Sequence, residues 1–243
     1  MKVVQYPPVI NSPSVVKLLR EVHMMNPLPG NCWMGLDDEP ENSIEKYILD
    51  CYDLYLKELY PQAKGFEWWF HYIEFDDRMI GFHSDHDEMI RRDNEGEMKY
   101  PLVSTVTYLN NHISPTIVWD TTTGSNEREV KNCPPSEVVC SLPEEGRMLT
   151  FDPRYIHGVL PYSKDRITLM FNVWDYKPEA LHRVDVRTYR VEDCEFFLPS
   201  GGRLPTAWLG KTCDSTVDLF GKRVTYKHPV GAAGHGDFWS VTQ

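Results

Sequence analysis

Gly81-Phe82-His83-Ser84-Asp85-His86-Asp87-Glu88 lies near the middle of the chain and sets the reading of everything around it. On an extended segment, residues two apart point to the same face. His83 and Asp85 therefore present an imidazole and a carboxylate side by side. A further histidine from another strand would complete a three-ligand metal site that keeps coordination positions open. The pair has little weight alone. The chain holds 9 histidines, enough for about one His-x-Asp by chance, and His235-Gly236-Asp237 is a second instance. The flanking sequence has to decide.

Upstream, Glu67-Trp68-Trp69-Phe70-His71-Tyr72-Ile73-Glu74-Phe75 is aromatic and reads as a strand. Met79 to Asp85 is the next, carrying the two candidate ligands. Arg91 to Met98 reads as a polar loop. Leu102-Val103-Ser104-Thr105-Val106-Thr107-Tyr108-Leu109 is the clearest strand, from its β-branched content. Thr116–Trp119, Glu137–Leu142, Arg147–Phe151 and Arg166–Trp174 follow as short strands. Thr121 to Pro135 is polar, ends in two prolines and reads as a mobile loop. Short strands separated by turn residues point to a barrel or sandwich.

Two helices precede this β-rich region. Ser12 and Pro13 suit the start of a helix over residues 12–25. Asn42 with Glu45 forms a capping pair for a second, over about residues 43–59. Its apolar stripe (Ile44, Ile48, Cys51, Tyr55, Leu59) implies packing on a sheet. The expected organisation is one domain over residues 1–243: helical support over 1–64, a β-core over 66–174, and an excursion over 175–243 packed on that core.

Composition narrows the function classes. The 243 residues suffice for one sizeable core. The 13 Tyr, 10 Phe and 7 Trp suit a β-rich core with a pocket. A formal net charge of -11 disfavours nonspecific attraction to nucleic acid or anionic membranes. The six cysteines form no CxxC pair and no zinc-finger spacing. With no apolar leader or membrane-length run, a reducing cytoplasm with free thiols is expected.

A second histidine stands downstream in Gly146-Arg147-Met148-Leu149-Thr150-Phe151-Asp152-Pro153-Arg154-Tyr155-Ile156-His157-Gly158-Val159. Arg166 follows, opening the run to Trp174. Pro161-Tyr162-Ser163-Lys164-Asp165 between them reads as a hairpin turn, placing His157 and Arg166 on adjacent antiparallel strands that face one interior.

From about Trp68 to Trp174 the chain thus resembles the Fe(II)/2-oxoglutarate-dependent dioxygenase superfamily, with prolyl-hydroxylase-like core motifs. The resemblance implies a mainly β fold with flanking helices (α+β) around a double-stranded β-helix, or jelly roll. It implies His83, Asp85 and His157 as iron ligands and Arg166 as the anchor for the distal carboxylate of 2-oxoglutarate. Tyr108 matches the tyrosine that assists there, and the Thr168 hydroxyl is a second candidate donor. The cofactor set it implies is Fe(II), with 2-oxoglutarate and O2 as co-substrates. The implied reaction hydroxylates a C–H bond of a small or amino-acid-like substrate, with release of succinate and CO2. Three protein ligands on one face of a six-coordinate ion leave positions for a chelating keto acid and O2. An arginine fork gives the far carboxylate bidentate, charge-assisted bonds.

Alternatives stay open. His86 and Glu88 form a rival pair in the shifted register, whereas no histidine follows His235 and Asp237. His71 on the preceding strand, and Met170, Asn172 and Trp174 on the face of Arg166, are candidate substrate-pocket residues. Other readings are a prolyl-hydroxylase-like enzyme acting on a peptide, a metal enzyme that does not use 2-oxoglutarate, or a non-catalytic jelly-roll binding protein.

Overall fold

The computed structural model of the protein describes residues 1–9, 18, 31–72, 80–126, 129–159, 166–183, 212–219 and 222–229, the last two by their backbone. Its strands are β1 (Val3–Pro8), β2 (Cys32–Gly35), β3 (Gly65–Tyr72), β4 (Ile80–His83), β5 (Val103–Tyr108), β6 (Thr116–Thr123), β7 (Val130–Lys131), β8 (Val138–Ser141), β9 (Arg147–Phe151), β10 (Tyr155–Val159), β11 (Ile167–Trp174), β12 (Thr212–Leu219) and β13 (Lys222–Pro229). The helices are α1 (Ser43–Cys51) and α2 (Glu88–Asp93).

From β3 to β11 the chain passes repeatedly between two antiparallel sheets. One has six strands in the order β1-β9-β5-β11-β3-β2; the other runs β4-β10-β6-β7, with β8 also on β6. This is the expected jelly-roll core.

β11 shows why these residues fold so. All eight of its residues are buried, because both faces of the larger sheet are covered. Ile167, Leu169, Phe171 and Val173 point one way and join Phe66, Trp68, Ile44, Ile48 and Tyr52 in the main apolar core beneath α1. Thr168 and Met170 point the other way, between the sheets. Burying each large apolar side chain contributes about 1.5–3 kcal/mol, so the α1 face is the main anchor of the fold.

The Asn42 side chain caps α1, accepting from Glu45 N at 2.8 Å, while Glu45 Oε2 accepts from Glu41 N at 2.8 Å. The helix then widens into a π-helical turn, Tyr52–Leu56. The extra residue in that turn rotates the apolar stripe. Tyr52 and Leu56 are buried, and Leu59, expected on the stripe, is 53% exposed.

Close approach of backbone fixes Gly65, the first residue of β3, opposite Gly35 and Trp174. A Cβ there would lie 2.5 Å from the Met34 carbonyl oxygen and 2.4 Å from Trp33 Cζ2.

Several expectations are corrected. β1 and β2 belong to the larger sheet, so the segment read as helical support also supplies both its edge strands. The helix α2 runs into the stretch read as a polar loop, Arg91 to Met98, and is capped by the Asp87 side chain, which accepts from Met89 N and Ile90 N. β6 continues through Thr123 and β7 pairs back on it, inside the stretch read as a loop. His157 and Arg166 are not hairpin partners. β10 pairs with β4 and β6 in one sheet, and β11 with β3 and β5 in the other, so the two residues face each other across the sandwich.

Beyond β11, β12 and β13 form an antiparallel hairpin, with Thr212 opposite Pro229 and Leu219 opposite Lys222. The helix expected over residues 12–25 lies outside the described residues except for Leu18, which is helical and buried. The strand-like run Val184–Val191 and the pair His235 and Asp237 also lie outside them. Among the described residues no helix is long and apolar enough to cross a membrane, and Cys32, Cys51, Cys133 and Cys140 are free thiols.

Candidate metal centre

His83 ends β4, Asp85 lies two residues beyond it, and His157 is the central residue of β10. Ligand atoms of all three lie within 4.8 Å of one another, the only such His/Cys/Asp/Glu group among the described residues. Asp85 Oδ1 is 3.4 Å from His83 Nε2 and 3.5 Å from His157 Nε2.

The other ring nitrogens are occupied. His83 Nδ1 lies 2.6 Å from the Gly81 carbonyl oxygen and His157 Nδ1 2.9 Å from that of Tyr155. A carbonyl oxygen can only accept, so each Nδ1 carries a proton and donates, which turns both Nε2 atoms toward Asp85. With Nδ1 held by a carbonyl, Nε2 is the nitrogen available to a metal.

A divalent ion bound at about 2.1 Å holds adjacent donors roughly 3 Å apart. The observed separations close to that with small side-chain rotations. The residues therefore fit a metal. Two imidazoles and one carboxylate on one face match the donor set of a non-haem Fe(II) site with open positions.

Electrostatics agree with the geometry. Burial would raise the Asp85 carboxyl, but the charges and hydrogen bonds of His157 and His83 outweigh it and hold it well below the usual carboxylate range. Burial would lower His83, but its bond to Asp85 and the charge there, with help from the Gly81 carbonyl, hold it above the ordinary imidazole value.

The triad opens into a cavity between the sheets of about 450 Å³, mouth included. Arg166, just before β11, is 1% exposed and lines the same cavity. Its Nη2 donates to Thr116 Oγ1 at 2.8 Å, its Nε to the Ser114 carbonyl at 3.3 Å and its Nη1 to Thr168 Oγ1 at 3.4 Å. These neutral oxygens fix the plane of the guanidinium fork. Its carbon also lies 5.6 Å from the centroid of the Tyr108 ring.

The remaining candidates divide. Thr168, His71 and Met170 line the cavity, with His71 opposite Thr168 and Trp69 opposite Met170 across β3 and β11. Burial, with the nearby charges of Arg166 and His83, lowers the His71 imidazole to about 4, so it is neutral at neutral pH. Tyr108 is fully buried but does not line the cavity. Its hydroxyl lies 3.0 Å from Thr116 Oγ1 and 3.1 Å from the Ser141 carbonyl. Asn172 and Trp174 continue the face of Arg166 past the end of the cavity and donate instead to Glu67 Oε2, at 3.2 and 3.0 Å. His86 and Glu88 pair with each other at 2.8 Å at the start of α2, and no third ligand joins them among the described residues.

Two residues were not singled out in the sequence. Thr116 holds the Arg166 fork, and no local signal marks it. Ser104 donates to Asp85 Oδ2 at 2.6 Å; alternation from Tyr108 along β5 places it on the inner face.

No family model and no curated protein sequence matches the chain. Solved structures do match. The epimerase SnoN from nogalamycin biosynthesis, described as non-haem and α-ketoglutarate-dependent, superposes with a TM-score of 0.51 at 12% identity, over 74% of this chain and 80% of SnoN. A Pseudomonas putida prolyl-4-hydroxylase gives 0.48 at 18% identity, over 71% and 87%. HygX from Streptomyces hygroscopicus, with nickel and 2-oxoglutarate bound, gives 0.46 at 13% identity, over 75% and 91%. The chain shares the jelly-roll fold of SnoN, and at this identity the likeness speaks for the fold alone.

Proposed function

We propose that the protein is a non-haem Fe(II)- and 2-oxoglutarate-dependent oxygenase. One observation carries the reading: a converging His83–Asp85–His157 set and a buried arginine share one cavity between the two sheets.

In this reading His83, Asp85 and His157 hold the ion. Bound there, ferrous iron would supply the redox chemistry that couples decarboxylation of 2-oxoglutarate by O2 to oxidation of a C–H bond, with succinate and CO2 as co-products. The protein's own part is placement. The Gly81 and Tyr155 carbonyls hold both rings by Nδ1, so that each Nε2 is the nitrogen turned toward the ion. Arg166 presents two donors to the distal carboxylate of 2-oxoglutarate, where charge-assisted pairs are about twice as strong as neutral ones. Thr168 stands beside it as a neutral donor. The apolar wall of Trp69, Val106 and Met170 excludes water from the reacting carbon, and neutral His71 can orient either substrate.

The class of prime substrate that suits this cavity is a small or amino-acid-like molecule, hydroxylated at a C–H bond. A peptide substrate is the second reading, favoured by the 43% exposure of the His83 side chain among the described residues. The test is succinate release from 2-oxoglutarate with Fe(II), for wild type, His83→Ala and Arg166→Ala. Turnover undiminished in His83→Ala overturns the ligand assignment.

A further inference from the structure

Asp85 has two carboxylate oxygens, and they do different things. Oδ1 faces both histidines, while Oδ2 accepts from Ser104 Oγ at 2.6 Å. Ser104 is 1% exposed and belongs to β5 of the larger sheet, whereas Asp85 follows β4 of the smaller one. The bond therefore spans the sandwich at the level of the metal site. The Asp85 backbone is held separately, its N–H donating to the Pro153 carbonyl at 3.0 Å. Ser104 thus controls rotation of the carboxylate about an already fixed backbone.

The strand behind Ser104 is firmly placed. Thr105 Oγ1 donates to the Phe171 carbonyl at 2.8 Å. Ser104 lies opposite Asn172 on β11, which in turn lies opposite Glu67 on β3 and donates to it. This buried row leaves β5 little room to follow a moving Asp85.

We propose that Ser104 is a positioning residue that keeps Asp85 a one-oxygen ligand. The proposal rests on the metal reading above. A carboxylate free to turn can bind one cation through one oxygen or both. With both bound, a coordination position needed for the keto acid or O2 would be lost. By engaging Oδ2, Ser104 leaves Oδ1 alone for the ion. Outer partners of metal ligands commonly change metal affinity by about 10- to 100-fold.

The test is titration of the full-length apoprotein with Co(II), whose visible d–d spectrum reports coordination number. Wild type, His157→Ala, Ser104→Ala, Ser104→Thr and Ser104→Val are compared. Thr and Val share a shape and differ in the hydroxyl, so that pair decides the matter even if the alanine variant is unstable. The expected result is Co(II) binding weakened about tenfold or more in Ser104→Ala and Ser104→Val, with an altered spectrum, and both restored in Ser104→Thr. Threonine as impaired as valine, or valine matching wild type in affinity and spectrum, overturns the role of Ser104. If instead wild type binds no better than His157→Ala, the metal reading falls, and this proposal with it.

Discussion

His157 on β10 lies directly opposite His83 on β4, Cα partner to Cα partner, and the two imidazole centroids are 4.5 Å apart. Cross-strand partners on one face are the closest non-local neighbours a sheet provides. Strand register therefore builds two thirds of the converging trio, and the backbone beyond β4 brings in Asp85. Groups acting as one unit are not additive. His83→Ala and His157→Ala are each expected to abolish tight metal binding and succinate formation, and the double variant to be no worse than the weaker single. Metal content after dialysis, with the succinate assay, checks this.

Arg166→Lys keeps the charge and loses the planar fork. Hydrogen bonds to charged groups contribute about 1.5–3 kcal/mol, so half-saturation by 2-oxoglutarate should rise about ten- to hundredfold. Affinity for Co(II) alone should change little, because Arg166 is not one of the proposed ligands. Separate titrations of metal and 2-oxoglutarate distinguish the two.

Tyr108→Phe should behave differently. The Tyr108 hydroxyl meets Thr116 and the Ser141 carbonyl, outside the cavity lining. The expected cost is about 0.5–1.5 kcal/mol of stability, with an effect on 2-oxoglutarate binding well below that of Arg166→Lys. Thermal melts paired with the same titration test it.

The pH dependence has a definite sign. In the metal-free protein the His83 imidazolium is held above its ordinary value and the Asp85 carboxyl below its own. The His83–Asp85 attraction is then fully present below the unfolded histidine value and is lost as pH rises through the raised folded value. The Asp85 contribution is lost only in acid, as pH falls through its depressed value. Metal binding requires neutral imidazoles and so displaces that proton. Stabilisation by Co(II) should therefore grow as pH rises through the raised His83 value and level off above it. Melting temperatures with and without Co(II), measured across that rise in pH, show it.

Gly65→Ala tests the fold independently of the site. Its Cβ would lie 2.5 Å from the Met34 carbonyl, a backbone atom that cannot swing aside. Overpacking of this kind costs about 1–3 kcal/mol, at roughly 2–4 °C per kcal/mol for a chain of this size. A variant that melts with wild type would contradict the pairing of β2 with β3.

What could be read in advance follows physical lines. β3, β5 and β11 announce themselves because central strands covered on both faces are dense in apolar and β-branched residues. β1 hides because Pro7 and Pro8 argue against a strand, and an edge position tolerates them. α2 hides because none of its residues is buried, so no apolar stripe marks it; its cap, Asp87, is the one local sign. His157 and Arg166 were legible as neighbours but not as residues of opposite sheets. A nine-residue step with turn residues suits a hairpin and a sheet-to-sheet crossing equally. That His83, Asp85 and His157 converge was legible from a two-residue alternation and a downstream histidine. Ser104 was not, because its partner Asp85 is brought to it by packing between sheets.

The most direct measurement is an anaerobic titration of the wild-type protein with Fe(II) and 2-oxoglutarate, followed by visible absorption. A keto acid chelated to ferrous iron gives a metal-to-ligand charge-transfer band. The band should appear only when both are present and be lost in His157→Ala. Its absence from wild type at saturating Fe(II) and 2-oxoglutarate would contradict the account.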